Sequence, residues 1–543
     1  MRIVCLGGGP AGLYFSILMK KSNPDHAVTV VERNRPEDTF GWGVVFSDAT
    51  LGNFARADPQ SHAQITRAFH HWDNCDIFFN QRRFTSGGHG FCGIGRGKLL
   101  KILQDRATEL GVKQVYETNV DDDARYADAD LIIAADGANS FIRDKYAAHF
   151  KPAVETRKNR YIWLGTRLKL NAFTFITQPT EWGWFQAHAY QFEQDTSTFI
   201  VECREETWRA AGLDRMDLAG SIAFCEKLFA QYLDGHILLS NARHLRGSSW
   251  LNFNLVLCEK WHYRNIVLIG DASHTAHFSI GSGTKLAMED AIVLSRSLAA
   301  NPGNVERAQD LYQEERAREV LKLQSAARNR MEWFENVARY THLEPEQFAY
   351  ALLTGSQRIS HENLKLRDKA YVDSVESWFA QQSGLPAQPL PPMFTPFRIA
   401  GLTLMNRVVV SPMAMYSCRD GLPDDFLLVH LGSRALGGAG LVMTEMTCVS
   451  PAARITPGCA GLWNQQQMQG WRRIVDFTHR NSGARIGIQL GHSGPKGSTR
   501  PGWEAIDEPL AAGNWPLLAA SAIPYGPRNQ VPQAMSRADM DQV

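Results

Sequence analysis

Residues 1–32 read MRIVCLGGGPAGLYFSILMKKSNPDHAVTVVE. Ile3 to Leu6 is a short apolar strand, Gly7-Gly8-Gly9-Pro10-Ala11-Gly12 a turn, Leu13 to Lys21 a helix, and Val28 to Val31 a second β-branched strand closing on Glu32. In the pattern Gly7-x-Gly9-x-x-Gly12 the first glycine permits the sharp turn, the second lets backbone approach a pyrophosphate, and the third lets helix pack on strand. Pro10 and Ala11 complete the turn, and the N-terminus of the following helix favours an anion. Glu32, followed by Arg33, ends the second strand where a carboxylate accepts ribose hydroxyls. The unit predicts dinucleotide binding without a 2′-phosphate, which suits NAD or FAD alike.

Two later stretches extend the same sheet. DLIIAADGANSFIR (residues 130–143) sets Asp136-Gly137 at a strand end. NIVLIGDASHTAHFSIGSGTKLAMEDA (residues 265–291) sets Gly270-Asp271 at another, followed by Gly281, Gly283 and a helix. A carboxylate at a strand's carboxyl end suits a ribitol or ribose hydroxyl. Between them, residues 161–204 turn aromatic and β-rich, with Gln194-Asp195-Thr196 as a hairpin turn. This predicts an inserted antiparallel sheet, about residues 155–260, suited to wall a flat ligand. Residues 305–340 read as long helix, and helices are expected to about residue 380.

At 543 residues and roughly 150 per domain the chain is multidomain. With 44% hydrophobic and 21% charged residues it is globular, and 57 Lys and Arg against 56 Asp and Glu give no global field for nucleic acid or an anionic membrane. The nine cysteines contain no C-x-x-C pair, so neither a zinc site nor a disulfide framework is indicated and a reducing cytoplasm is expected. No apolar run reaches the ~18 residues of a membrane span.

SGLPAQPLPP (residues 383–392) is the clearest linker, separating an expected domain 1–382 from 393–543. Beyond it the order is strand 407–411, helix 426–436, strand 441–449, helix 465–479, strand 485–490, which argues for a parallel α/β architecture, doubly wound or barrel.

With its three motifs in this order, the first part resembles the FAD-dependent aromatic hydroxylases of the para-hydroxybenzoate hydroxylase type. The resemblance implies a Rossmann-like FAD domain in which Asp271 holds the ribitol, Gly281 and Gly283 face the isoalloxazine, and Asp136-Gly137 lies near FAD. Arg96 in GIGRGKLL (residues 93–100) matches an arginine that family sets on FAD. NAD(P)H would visit without a domain of its own, since no second fingerprint occurs. Where that family often has proline, this chain has His277-Phe278, and His274 and His277 are the acid–base candidates beside plain packing.

LMNRVVVSPMAMY (404–416), GGAGLVMTEMTCV (437–449) and IGIQLGHSG (486–494) resemble the old yellow enzyme type reductases, which are (β/α)8 barrels binding FMN. That implies FMN contacts at Ser411, Pro412, Met413, Ala414, Met446 and Gln489. Three units make an incomplete TIM barrel without the phosphate site after strands seven and eight, so FMN is expected only if the barrel is completed. The expectation is a fragment, the alternatives being completion by a partner or a remnant.

The combination resembles the fused 2-aminobenzoyl-CoA monooxygenase/reductases and salicylyl-CoA 5-hydroxylases. This implies a CoA-activated aromatic acid hydroxylated at the ring 5-position with O2, the amino or hydroxy substituent left open. No metal is expected, and a homodimer is the assembly considered. The competing reading is a FAD-dependent reductase or dehydrogenase without oxygen chemistry, whose C-terminal segment only docks.

Overall fold

Ile3, Val4, Cys5 and Leu6 are at most 2% exposed, as the centre of a doubly covered parallel sheet requires. In the computed structural model, which describes residues 1–39, 41–47, 52–241 and 249–543, this strand lies third from one edge of a six-stranded sheet. The order is Lys113–Val115, Ala27–Val31, Arg2–Leu6, Leu131–Ala134, Ile266–Leu268 and His262–Tyr263. All neighbours are parallel except the last pair.

The register sets Leu6 beside Ala134 and Ala134 beside Leu268. The carboxyl ends of three strands far apart in sequence therefore deliver Gly7, Asp136 and Asp271 to one edge. Helix Pro10–Ser22 buries Leu13, Phe15, Ile17 and Met19, and helix Gly283–Ala300 packs against it, burying Leu286, Ala291 and Leu294. Each such fully buried side chain is worth about 1.5–3 kcal/mol.

A second, largely antiparallel sheet is built from Pro152–Thr166, Ala172–Thr180, Gly183–Glu193 and Thr196–Arg204, with the hairpin turn at Gln194 and Asp195. Leu251–Cys258 and Leu238–Leu239 pair with the first of these strands. Upstream strands Asn74–Phe79 and Arg82–Ser86 also join, the former parallel to Ala172–Thr180. The wall thus draws on residues outside the segment expected to form it. One face packs on helices 205–233 through Phe185, Phe199, Val201 and Phe229. The other carries Tyr161, Trp163, Tyr190 and Ile200. Residues 305–335 form one helix whose buried side includes Tyr312, Arg316, Val320 and Phe334.

The chain divides into two compact units, Met1–Val372 and Asp373–Val543. The second holds a three-stranded parallel sheet, Val409–Val410, Leu441–Cys448 and Arg485–Gly491. Helices Asp425–Leu436 and Gln465–Asn481 connect it, each N-capped by an Asp424 or Asn464 side chain. The first strand is shorter than expected. Arg407 gives its N–H to the Met393 carbonyl, and its guanidinium lies 4.8 Å from the Phe379 and Phe397 rings, so its backbone leaves the sheet. Among the described residues no helix is long and apolar enough to cross a membrane.

Candidate active site

The glycines act by exclusion. Gly7 has φ +113°, and a Cβ there would meet the Ala135 carbonyl oxygen at 2.2 Å. A Cβ on Gly12 would meet the Gly7 carbonyl oxygen at the same 2.2 Å, so this glycine sets helix against strand. Around Gly9 the space a Cβ would take is open, with nothing within 4 Å, which leaves a ligand room to approach the backbone. Pro10 opens the helix without needing a partner for an N–H, and no side chain caps that end.

Glu32 is fixed by backbone donors. Its Oε2 accepts from the Gly8 N–H and its Oε1 from the Asn34 N–H, both at 2.8 Å. A carboxylate offers about four lone-pair sites, so capacity remains for ribose hydroxyls. Asp136 accepts from the Ile142 N–H through Oδ2 at 3.2 Å, while Oδ1 is buried without a hydrogen-bond partner. Burial raises this carboxyl above its ordinary value, outweighing the hydrogen bonds from Ser140 and Ile142 that lower it.

These residues converge on two adjoining cavities. The smaller, of about 270 Å³, is lined by Gly7, Gly9, Pro10, Glu32, Arg33, Arg96, Asp136 and Gly137. The larger, of about 840 Å³, shares Gly9, Pro10, Arg33, Arg96 and Gly137 and adds Ala11, Asp271, Gly281 and Gly283. Its far wall is Tyr161, Trp163, Tyr190, Ile200 and Phe278. Gly12 lies behind the wall.

Asp271 sits in the turn after Ile266–Leu268 with its side chain open to the cavity, and it makes no hydrogen bond among the described residues. Burial raises its carboxyl, opposed by the facing Arg96 guanidinium. Arg96 opens helix Arg96–Glu109, anchored by its N–H to the Trp42 carbonyl at 2.8 Å. Burial lowers it and Asp271 pulls it back up. The Tyr161 hydroxyl, pushed up to about 12 by burial, also faces this space.

The Asp271 turn is held from behind. Gly270, at φ +61°, donates its N–H to Asp290 Oδ2 at 2.9 Å. The same oxygen is 2.8 Å from His274 Nε2, and Asp290 Oδ1 accepts from Arg316 Nε at 2.8 Å. Neither histidine singled out in the sequence lines the cavities. His274, 1% exposed, turns Nε2 to Asp290, and its Nδ1 is buried without a hydrogen-bond partner among the described residues. His277, 3% exposed, pairs through Nδ1 with Ser279 Oγ at 2.9 Å, and burial drops it to about 4, so it is neutral. His274 orients the turn, and the reach of both rings is blocked by packing.

The sequence reading missed Val44 and Val45, and the Leu251–Asn254 stretch of the cavity wall. Only pairing brings them there, and no local motif marks them.

Residues 1–327 match the FAD binding domain family. The chain belongs to that family. A salicyloyl-CoA 5-hydroxylase of Streptomyces sp is 40% identical over 433 residues, which is 78% of this chain and 81% of the relative. In fold the chain is similar to a solved 2-methyl-3-hydroxypyridine-5-carboxylic acid oxygenase, with TM-score 0.51, 18% identity, and coverage of 65% and 96% of the two chains. Residues 392–515 match the NADH:flavin oxidoreductase / NADH oxidase family. There an NADPH dehydrogenase of Geobacillus sp. (strain WCH70) is 34% identical over 152 residues, 28% of this chain and 40% of the dehydrogenase. The chain is thus an oxidoreductase, a FAD-domain monooxygenase joined to a flavin reductase module.

The FAD residues fit the group, since the open cradle at Gly9, the orphaned Asp136 oxygen and the Asp271 carboxylate open to the cavity are complementary to a diphosphate and polyol. In the second unit Met446 and Gln489 are register partners at the strand ends, and Ser411 to Ala414 follow the first strand. The resemblance assigns these residues to a flavin ring; further strands, which would carry a phosphate, are not among the described elements of that sheet.

Proposed function

We propose that the chain hydroxylates an aromatic acyl-CoA, with salicyloyl-CoA as substrate and ring position 5 as target, using O2 and NAD(P)H. The observation that carries this is the shared cavity, whose one side is the set of flavin-type carboxylates and glycines and whose other side is a face of aromatic rings. The resemblance to the Streptomyces enzyme supports the acyl-CoA and favours a hydroxy over an amino ring.

In this reading Gly7 to Gly12 and Glu32 hold the adenosine diphosphate half of FAD, Arg33 and Asp136-Gly137 flank it, and Arg96, Asp271, Gly281 and Gly283 hold the riboflavin half. Bound there, FAD carries two electrons from NAD(P)H, and of the two oxygen atoms one enters the ring and one leaves as water. The protein's share is binding, orientation and dryness. Tyr161, Trp163 and Phe278 lie ring against ring, with centroids 4.8 and 6.1 Å from Phe278, and shut water from that side. Tyr190 donates its hydroxyl to the Gly43 carbonyl at 2.8 Å and so keeps its ring fixed toward the cavity.

Mass analysis of the product after incubating the chain with FAD, NADH with NADPH, air and salicyloyl-CoA tests this. Gain of one oxygen is expected. Conversion of 2-aminobenzoyl-CoA instead would move the ring substituent, and reduction without oxygen uptake would replace hydroxylation by dehydrogenase chemistry.

A further inference from the structure

The sheet face that walls the cavity continues past it. Along Gly183–Glu193, Tyr190 lines the cavity and His188 is the next residue on the same face. Opposite His188 in register is Ile200, which lines the cavity, and Phe278, which also lines it, stands edge-on at 6.0 Å. His188 is therefore one residue behind the wall on three sides. Its other ring neighbours are Phe175 at 5.3 Å and Phe334 at 4.5 Å.

In this aromatic setting stands a carboxylate–imidazole pair. His188 Nε2 lies 2.6 Å from Glu202 Oε1, and Glu202 Oε2 accepts from Asn159 Nδ2 at 3.1 Å. The two residues are 2% and 1% exposed. Burial pushes Glu202 up, but His188, then His277 and Asn159, more than reverse it and hold the carboxyl below its ordinary value. Nδ1 is buried and without a hydrogen-bond partner among the described residues. A buried ring nitrogen left so is a standing cost that a ligand partner would remove.

We propose that His188, oriented by Glu202, accepts the proton of the substrate's ring hydroxyl when the Phe278 ring moves aside. This rests on the phenolic substrate of the preceding section. The phenol O–H bond breaks and an Nδ1–H bond forms, giving an imidazolium beside Glu202 and a phenolate whose charge reaches the carbon opposite, position 5. After oxygen enters the ring His188 returns the proton to the same ring oxygen, so the pair ends unchanged. The charged or titratable groups around it are Glu202 on the next strand, neutral His277 on the loop, the Arg157–Glu335 ion pair at 2.6 Å, and the Arg330 guanidinium 5.6 Å from the Phe175 and Phe334 rings.

Two measurements on the flavin-loaded full chain test this. The first is the 15N spectrum of histidine-labelled protein at pH 7, with His188 assigned by its loss in His188→Asn. A neutral ring bare at Nδ1 and protonated at Nε2 is expected; a ring protonated at Nδ1 overturns the proposal whatever the substrate. The second is the pH profile of salicyloyl-CoA hydroxylation. His188→Asn is expected to slow product formation about 100-fold at pH 7 and to recover about tenfold per pH unit as solution ionises the hydroxyl. Glu202→Gln keeps the ring and should show the same profile more weakly; wild-type profiles in both variants overturn the role. Should wild-type protein leave salicyloyl-CoA unchanged, the substrate assignment falls, and the nitrogen spectrum alone decides His188.

Discussion

Gly12 and Asp271 are constrained in opposite ways, and substitutions should separate them. Gly12→Ala places a methyl 2.2 Å from the Gly7 carbonyl oxygen, which is backbone and cannot swing away. We expect a loss of about 1–3 kcal/mol, as for other overpacked contacts, read by denaturant unfolding, with flavin retention falling in parallel. Asp271→Asn should instead stabilise the flavin-free chain. Burial raises the Asp271 carboxyl above its unfolded value, so ionisation costs the fold stability as pH rises through that raised value. The flavin-free variant should melt above wild type at pH 7 and level with it below pH ~4. Its FAD affinity should drop roughly 10- to 100-fold, the worth of a charged hydrogen bond, measured by fluorescence titration.

At the scale of elements, the long helix Val305–Glu335 is tied to the Gly270–Asp271 turn through Arg316 and Asp290. Asp290 is fully buried and takes donors from three elements. Burial pushes its carboxyl up, yet His274 and Arg316 hold it below the ordinary value. A depressed folded value means the stabilisation is complete above the unfolded value near ~3.9 and disappears as pH falls through the folded one. Arg316→Met should therefore cost about 3–5 kcal/mol at pH 7, and its gap from wild type should close in acid, as thermal melts across pH would show.

This linkage also marks the limit of what sequence displays. Gly7, Gly9, Glu32, Asp136 and Asp271 are legible because each sits at a strand end, where a local pattern of apolar run and turn locates it. His274 and His277 looked like chemistry because local sequence shows residue type and hides the partner, here Asp290 and Ser279. His188 and Glu202 gave no signal at all. Their meeting depends on the register of two strands and on Phe278 from a distant loop. The parallel pairing of Asn74–Phe79 with Ala172–Thr180 was hidden for the same reason.

For the whole molecule, the two units should differ in how they keep a flavin. In the first, on the proposed reading, one set of strand ends would supply the diphosphate cradle, the ribose carboxylate and the ribitol carboxylate together. In the second, the sheet has three strands, and its third, Arg485–Gly491, leaves Ile488 40% and Leu490 56% exposed. A barrel grips flavin phosphate after its seventh and eighth strands, and the ring contacts proposed for Ser411–Ala414, Met446 and Gln489 would leave that charge without a holder on these three strands. Phosphate contacts are charge-assisted, so their loss takes the strongest bonds from the site. Loaded with both flavins and desalted, this 543-residue chain should keep FAD near one per chain and lose FMN. Chromatography of the released flavins decides it: equal occupancy would show that the ring contacts of the second unit suffice to hold FMN.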